Sequence, residues 1–180
     1  MRVFVAIEIC SNEIINLISK FQSEININAK PVESHNLHFT LQFLGDISQD
    51  IVEKVMVSLN SVKFSSFTVN FKCIGAFPTL KFPRVIWIGT DENGGNSLIE
   101  LAKKVENALI PLGFSVDKPF KPHITVLRIK NKVGDITKEL DKFKSIDFGT
   151  QEVTEFKLKQ SILNSKGPTY SDLMEIKAEL

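Results

Sequence analysis

The same order of secondary-structure patterns occurs twice along this chain, and that repetition restricts its fold more than any single segment does. "RVFVAIE" from Arg2 and "RVIWIGT" from Arg84 both read as strands, rich in β-branched and aromatic residues. Each leads into a helical pattern. The first predicted helix opens near Ser11 or Asn12 and sets Ile14, Ile15, Leu17, Ile18 and Phe21 on its apolar side. The second follows "ENGGNS", carries Leu98, Leu101, Ala102, Val105, Ala108 and Leu109 at helical spacing, and stops at Pro111 and Gly113. A motif strand comes next in both copies, "HFTL" from His38 and "HITV" from His123. An amphipathic helix follows it, "SQDIVEKVMVSLN" from Ser48 and "DITKELDKFKSI" from Asp135. Alternating strands close each copy, "FTVNFKCIGAFP" from Phe67 and "VTEFKLKQSILNSKGP" from Val153. The offset is 82 residues at the arginines and 85 at the histidines, a drift that a few inserted residues explain.

Two β-α-β-α-β units of this kind pack about a pseudo-twofold axis and bring equivalent positions face to face. The expectation is one bilobal α+β domain over residues 1–180, its N-terminal half at about 1–82 and its C-terminal half at about 83–180. The proline-rich "FPTLKFP" joins them as a stiff crossover. A chain of 180 residues with 43% hydrophobic content is large enough to bury a core. Its formal net charge of +1 excludes bulk attraction to nucleic acid or membrane as a driving force, so an anion must be held by a local site. Cys10 and Cys73 have neither a metal-ligand spacing nor a disulfide framework. Glu8 interrupts the apolar N-terminal run, and no segment has the length of a membrane span. A cytoplasmic protein is expected.

The chain has only three histidines, and two of them stand in the same setting. In a strand, residues i and i+2 share a face, so His38 with Thr40, and His123 with Thr125, point one way while Phe39, Leu41, Ile124 and Val126 point into the core. For one such motif, an ordinary half-buried strand residue is the simpler explanation, because threonine is at home in a sheet. With nine threonines in the chain, however, a Thr two places after a given His is expected in about one case in twenty, and two such pairs among three histidines in roughly one in a hundred. Two imidazoles meeting in one cleft can act as a neutral base and a protonated acid near neutrality, and the hydroxyls beside them can donate to phosphoryl oxygens. The pair suits a phosphodiester in which one oxygen loses a proton while another gains one. Such chemistry calls for no metal and no cofactor.

These motifs, together with "MRVFVAIEI", "NLHFTLQFLGD", "GAFPTLKFPRVIWIG", "PLGFSVDKPFKPHITVLRIK" and "SILNSKGPTYSDL", resemble the 2H phosphoesterase superfamily, and within it the RNA 2',3'-cyclic phosphodiesterases also called 2'-5' RNA ligases. The resemblance runs over nearly the whole chain. It implies a bilobal α+β fold in which two antiparallel sheets line a central groove with helices outside. It also implies opening of a 2',3'-cyclic phosphate to a 2'-phosphate, with His38 as proton donor to the departing 3'-oxygen, His123 as acceptor from water, and Thr40 and Thr125 at the phosphate. An arginine at the Arg128 position helps to bind that phosphate in the family. Strand alternation alone puts Lys121 on the face of His123 and Arg128 on the other, unless the strand ends or bulges. Phe43 occupies the equivalent of Arg128 in the first copy, so the groove is expected to be positive mainly on the second side.

Phe77 and Tyr170 are candidates to stack on RNA bases. His35, in the polar run "ESHN", reads as a surface residue, and no zinc spacing links it to His38 and His123. The expected partner is an RNA end carrying a 2',3'-cyclic phosphate, met by a monomer, with no membrane involved. Two other readings stand beside hydrolysis: ATP-independent 2'-5' joining, which is the reverse reaction, and an RNA-binding module without turnover. The chain has no Gly-rich nucleotide loop of the G-x-x-x-x-G-K type to support ATP-driven ligation.

Overall fold

The computed structural model describes all 180 residues. Strand β1 (Arg2–Glu8) alternates Val3, Val5 and Ile7 on one face with Phe4, Ala6 and Glu8 on the other. Helix α1 (Asn12–Glu24) starts where the Ser11 hydroxyl accepts from the Ile14 N–H, and it buries Ile14, Ile18 and Phe21. A two-residue strand β2 (Lys30–Pro31) and the long motif strand β3 (His38–Asp46) follow. Helix α2 (Gln49–Asn60) then leads to the hairpin of β4 (Phe67–Pro78) and β5 (Pro83–Thr90).

Helix α3 (Glu92–Leu109) begins earlier than its periodicity predicts, ahead of both glycines rather than after "ENGGNS". Asp91 caps it, its carboxylate accepting from the Gly94 N–H at 3.0 Å and the Asn70 N–H at 2.9 Å. Gly94 is required there because a Cβ would come within 2.9 Å of the Val69 Cα. The second motif strand β6 (Ile124–Arg128), a five-residue helix α4 (Thr137–Asp141) and strands β7 (Asp147–Val153), β8 (Glu155–Asn164) and β9 (Gly167–Lys177) complete the chain.

The strands form one antiparallel sheet in the order β7-β4-β5-β6-β3-β1-β8-β9, with β2 added beside β6. Its two four-stranded sections meet at β3 and β6, where Phe39 opposite Ile124 is the sole ladder pair. A core of 38 residues runs without a break under both sections, joining Val5, Phe39, Ile86 and Ile124 to the apolar faces of α1, α2 and α3. The opposite face of the sheet is left as a groove. No helix is long and apolar enough to cross a membrane.

Two expectations are corrected by this topology. Residues 1–82 and 83–180 do not each build one section. Strand β4, from the first part of the chain, pairs with β5, while β8, from the last part, pairs with β1. "FPTLKFP" is accordingly a hairpin connection, closed by Pro78 opposite Pro83, rather than a crossover. Adjacent antiparallel strands need only a short loop, whereas a crossover would leave β4 apart from β5.

Candidate active site

The Phe39–Ile124 pair marks the pseudo-twofold axis. Both side chains are fully buried on the core face, so the residues on either side of each, His38 and Thr40 on β3 and His123 and Thr125 at β6, point into the groove. In an unbroken antiparallel pair, diagonal positions such as His38 and His123 would be roughly 7–8 Å apart. With only one pair hydrogen-bonded the strands splay, and a cleft of about 400 Å³ opens between them. His38, Thr40, His123, Thr125 and Arg128 all line it.

Arg128 reaches the cleft because β6 is bulged. Leu127 faces Ile86 but Thr125 faces Trp87, leaving Val126 as the extra residue, and Val126 and Leu127 are both buried. The added residue flips the alternation and turns Arg128 to the side of His123 and Thr125. β3 repeats the device: Gln42 faces Val5, Thr40 faces Ala6, and Leu41 is the extra residue. Phe43 is thus the counterpart of Arg128, 55% exposed with the Arg2 guanidinium 5.5 Å from its ring centre. Trp87 stands opposite Thr125 as Ala6 stands opposite Thr40, so the structural repeat is one residue out of step with the alignment of Arg2 on Arg84.

Each histidine is anchored in the same way. His38 Nδ1 lies 2.6 Å from the Asn36 carbonyl, and His123 Nδ1 lies 2.6 Å from the Lys121 carbonyl. A carbonyl can only accept, so both Nδ1 atoms carry the proton and each neutral ring keeps its lone pair on Nε2. His38 Nε2 is 3.0 Å from the Thr40 hydroxyl, which donates to the neutral ring and accepts from the charged one. His123 Nε2 makes no hydrogen bond within the protein. Aromatic rings pack on both imidazoles: Phe4 and Tyr170 at 5.1 and 5.4 Å from His38, Phe77 and Trp87 at 5.0 and 6.4 Å from His123. Phe77 and Tyr170, the stacking candidates, therefore each touch a histidine, and only Tyr170 also lines the cleft.

Burial dominates the electrostatics of both rings. It lowers His38 from 6.5 to about 4; the Asn36 carbonyl pushes back, while the charges of Lys159 and Arg128 add to the depression. His123 is lowered as well, again mainly by burial, against the pull of the Lys121 carbonyl. Desolvation raises the Tyr170 phenol, so it stays protonated. Behind His38, Glu8 pairs with it across β1 and β3 and meets Lys157 at 2.8 Å and also Lys159, and both lysines bind Asp172. Burial pushes the Glu8 carboxyl up, but the two lysines outweigh it and hold the group below its ordinary value. Sequence reasoning missed this cluster. Its four charges alternate along three strands, and nothing in the primary structure marks those strands as neighbours.

The cleft is also more evenly basic than predicted. Lys30, brought in by β2, and Lys166, from the β8–β9 turn, line it with Arg128, and Lys30 Nζ donates to the Lys166 carbonyl at 3.2 Å. Lys121 stays outside, exposed, with its ammonium 5.9 Å from the centre of the Phe77 ring. His35 is exposed, as expected, at the rim of the same cleft. No three His, Cys, Asp or Glu side chains gather in the geometry of a metal site.

Residues 2–177 match the model of the AKAP7 2'5' RNA ligase-like domain. The chain belongs to this family. The RNA 2',3'-cyclic phosphodiesterase of Archaeoglobus fulgidus is 42% identical over 96% of this chain and 98% of its own length. That of Methanocaldococcus jannaschii is 34% identical over 97% and 99%. Among solved structures, TT0787 of Thermus thermophilus superposes with a TM-score of 0.80 at 26% identity, covering 98% of this chain and 97% of that one. Escherichia coli LigT complexed with 3'-AMP reaches the same score at 24% identity, covering 99% and 98%, and so shares the fold. The α+β architecture expected from the duplication is the architecture of this family.

Proposed function

We propose that this protein is an RNA 2',3'-cyclic phosphodiesterase that opens the terminal cyclic phosphate to a 2'-phosphomonoester by two-histidine acid–base catalysis. The observation that carries this reading is the pair of Nδ1-anchored imidazoles whose Nε2 atoms open into one cationic cleft. Family relatives of that name, 34–42% identical over most of the chain, support the reaction class.

Water attacks phosphorus, and His123 Nε2, free of any protein partner, takes its proton. The bond from phosphorus to O3' breaks as His38 Nε2–H gives its proton to that oxygen, leaving a free 3'-hydroxyl and a 2'-phosphate. His38 is depressed to about 4 in the open cleft, so it must acquire its proton with the substrate. A bound phosphate anion supplies the missing countercharge, and the Asn36 carbonyl keeps the second N–H satisfied. Thr40, Thr125 and Arg128 hold the non-bridging oxygens, where negative charge grows.

Incubation of the protein with an oligonucleotide ending in 2',3'-cyclic phosphate, in EDTA, tests the proposal. A 2'-phosphate product is expected, with turnover lowered by about 10²–10⁴ in His38→Ala and in His123→Ala. A 3'-phosphate product, or full activity in either variant, would refute it. RNA binding with no product from the wild type would favour the non-catalytic module.

A further inference from the structure

A second cleft, of about 280 Å³, lies beside the first, and no step of the proposed reaction uses it. Lys81 and Phe82 from the β4–β5 connection and Arg84 at the start of β5 form one wall, and Lys130 and Lys132, just beyond β6, form the other. None of these four cations enters an ion pair. Asp135 feels the charge of Lys81 without forming an ion pair with it, and its carboxylate accepts from the Thr137 N–H and hydroxyl. Four unpaired cations in one concavity, on a chain of net charge +1, are a local field for a polyanion.

The cleft also presents an aromatic ring. Phe82 is 66% exposed, and its N–H donates to the Thr79 hydroxyl at 3.1 Å, which fixes the loop with the side chain outward. A base can stack on such a ring whatever its identity, while flanking lysines follow the backbone. The chain leads from one cleft to the other: Arg128, in the first, faces Val85, the Ile129 N–H goes on to the Arg84 carbonyl at 2.9 Å, and Lys130, in the second, follows two residues after Arg128.

We infer that the second cleft seats the RNA strand immediately upstream of the terminal cyclic phosphate, with Lys81, Arg84, Lys130 and Lys132 on its phosphates and Phe82 stacked on a base. The proposal rests on the phosphodiesterase reading for the identity of the RNA end held between the histidines. It makes the protein selective for strands over mononucleotides.

The test compares an RNA of about 16 nucleotides ending in 2',3'-cyclic phosphate with cytidine 2',3'-cyclic phosphate, using a combined Lys81→Glu, Lys130→Glu, Lys132→Glu variant and Phe82→Ala. The charge-reversed protein should show a KM for the long RNA raised about tenfold or more, with the slope of log KM against log salt reduced by about 0.7 for each phosphate that is no longer neutralised. Its turnover of the mononucleotide should equal the wild type, which also shows that it is folded. Phe82→Ala should raise KM for the long RNA and leave the salt slope unchanged. An unaltered KM and slope in the charge-reversed variant overturn the inference. Fluorescence anisotropy with the same RNA needs no turnover, so weaker binding by the variant upholds the surface even where the phosphodiesterase reading fails. Equal displacement of that RNA by polyglutamate would reassign the cleft to an acidic protein partner and overturn the RNA assignment.

Discussion

Saturating the cleft with a 2'-nucleotide should raise the pKa of His38 by about two units or more. The free protein holds that ring at about 4 against an ordinary 6.5, a difference of roughly 3 kcal/mol at 1.36 kcal/mol per unit. A phosphate charge about 4 Å from the imidazolium contributes roughly 4 kcal/mol at an effective dielectric constant of 20. The attraction is therefore large enough to cancel the burial penalty. Proton NMR titration of the ring Hε1 signals, assigned with His38→Gln and His123→Gln, should find His38 titrating near 4 alone and in the ordinary imidazole range with 2'-AMP bound. In kinetics, kcat/KM reports the free enzyme and kcat the complex, so the alkaline limb of kcat should lie at higher pH than that of kcat/KM. A His38 that titrates at 6.5 or above in the free protein, or that ignores the nucleotide, would refute the reasoning.

The same depression links His38 to stability: the unfolded chain binds its proton at higher pH than the folded one, so stability present above pH 6.5 is lost as pH falls toward 4. The loss is at most about 3 kcal/mol and shrinks with the ring's residual access to water, and urea melts at a series of pH values in that window should show it. Lys159, whose side chain is only 5% exposed, holds Glu8 and Asp172 together with Lys157; because both carboxylates are partly solvated and keep Lys157, Lys159→Met should cost about 1–3 kcal/mol in a denaturant melt, and no measurable loss would show that the cluster is not balanced. Gly75→Ala would drive a Cβ into the Trp87 ring, with about 1–3 kcal/mol of destabilisation and a shifted emission maximum from the single tryptophan of the chain. An unchanged spectrum would mean that the indole does not lie over Gly75.

The repeat of strand, helix and His-x-Thr was legible in the primary structure because periodicity two and periodicity 3.6 are local properties, and so was the face that His38 and Thr40 share. Whatever depends on strand pairing was not legible. A one-residue bulge at Val126 decides whether Arg128 faces the cleft or the other side of the sheet, and register against β5, not the spacing of side chains in β6, creates it. The exchange of β4 and β8 between the two sections, the arrival of Lys30 and Lys166 at the cleft, and the Glu8–Lys159–Asp172 cluster come from partners far apart in the chain. The residue types by themselves determined which chemistry the chain could perform. Only the folded sheet decided which charges stand beside it, because desolvation and Coulomb attraction depend on distances that the order of residues does not contain.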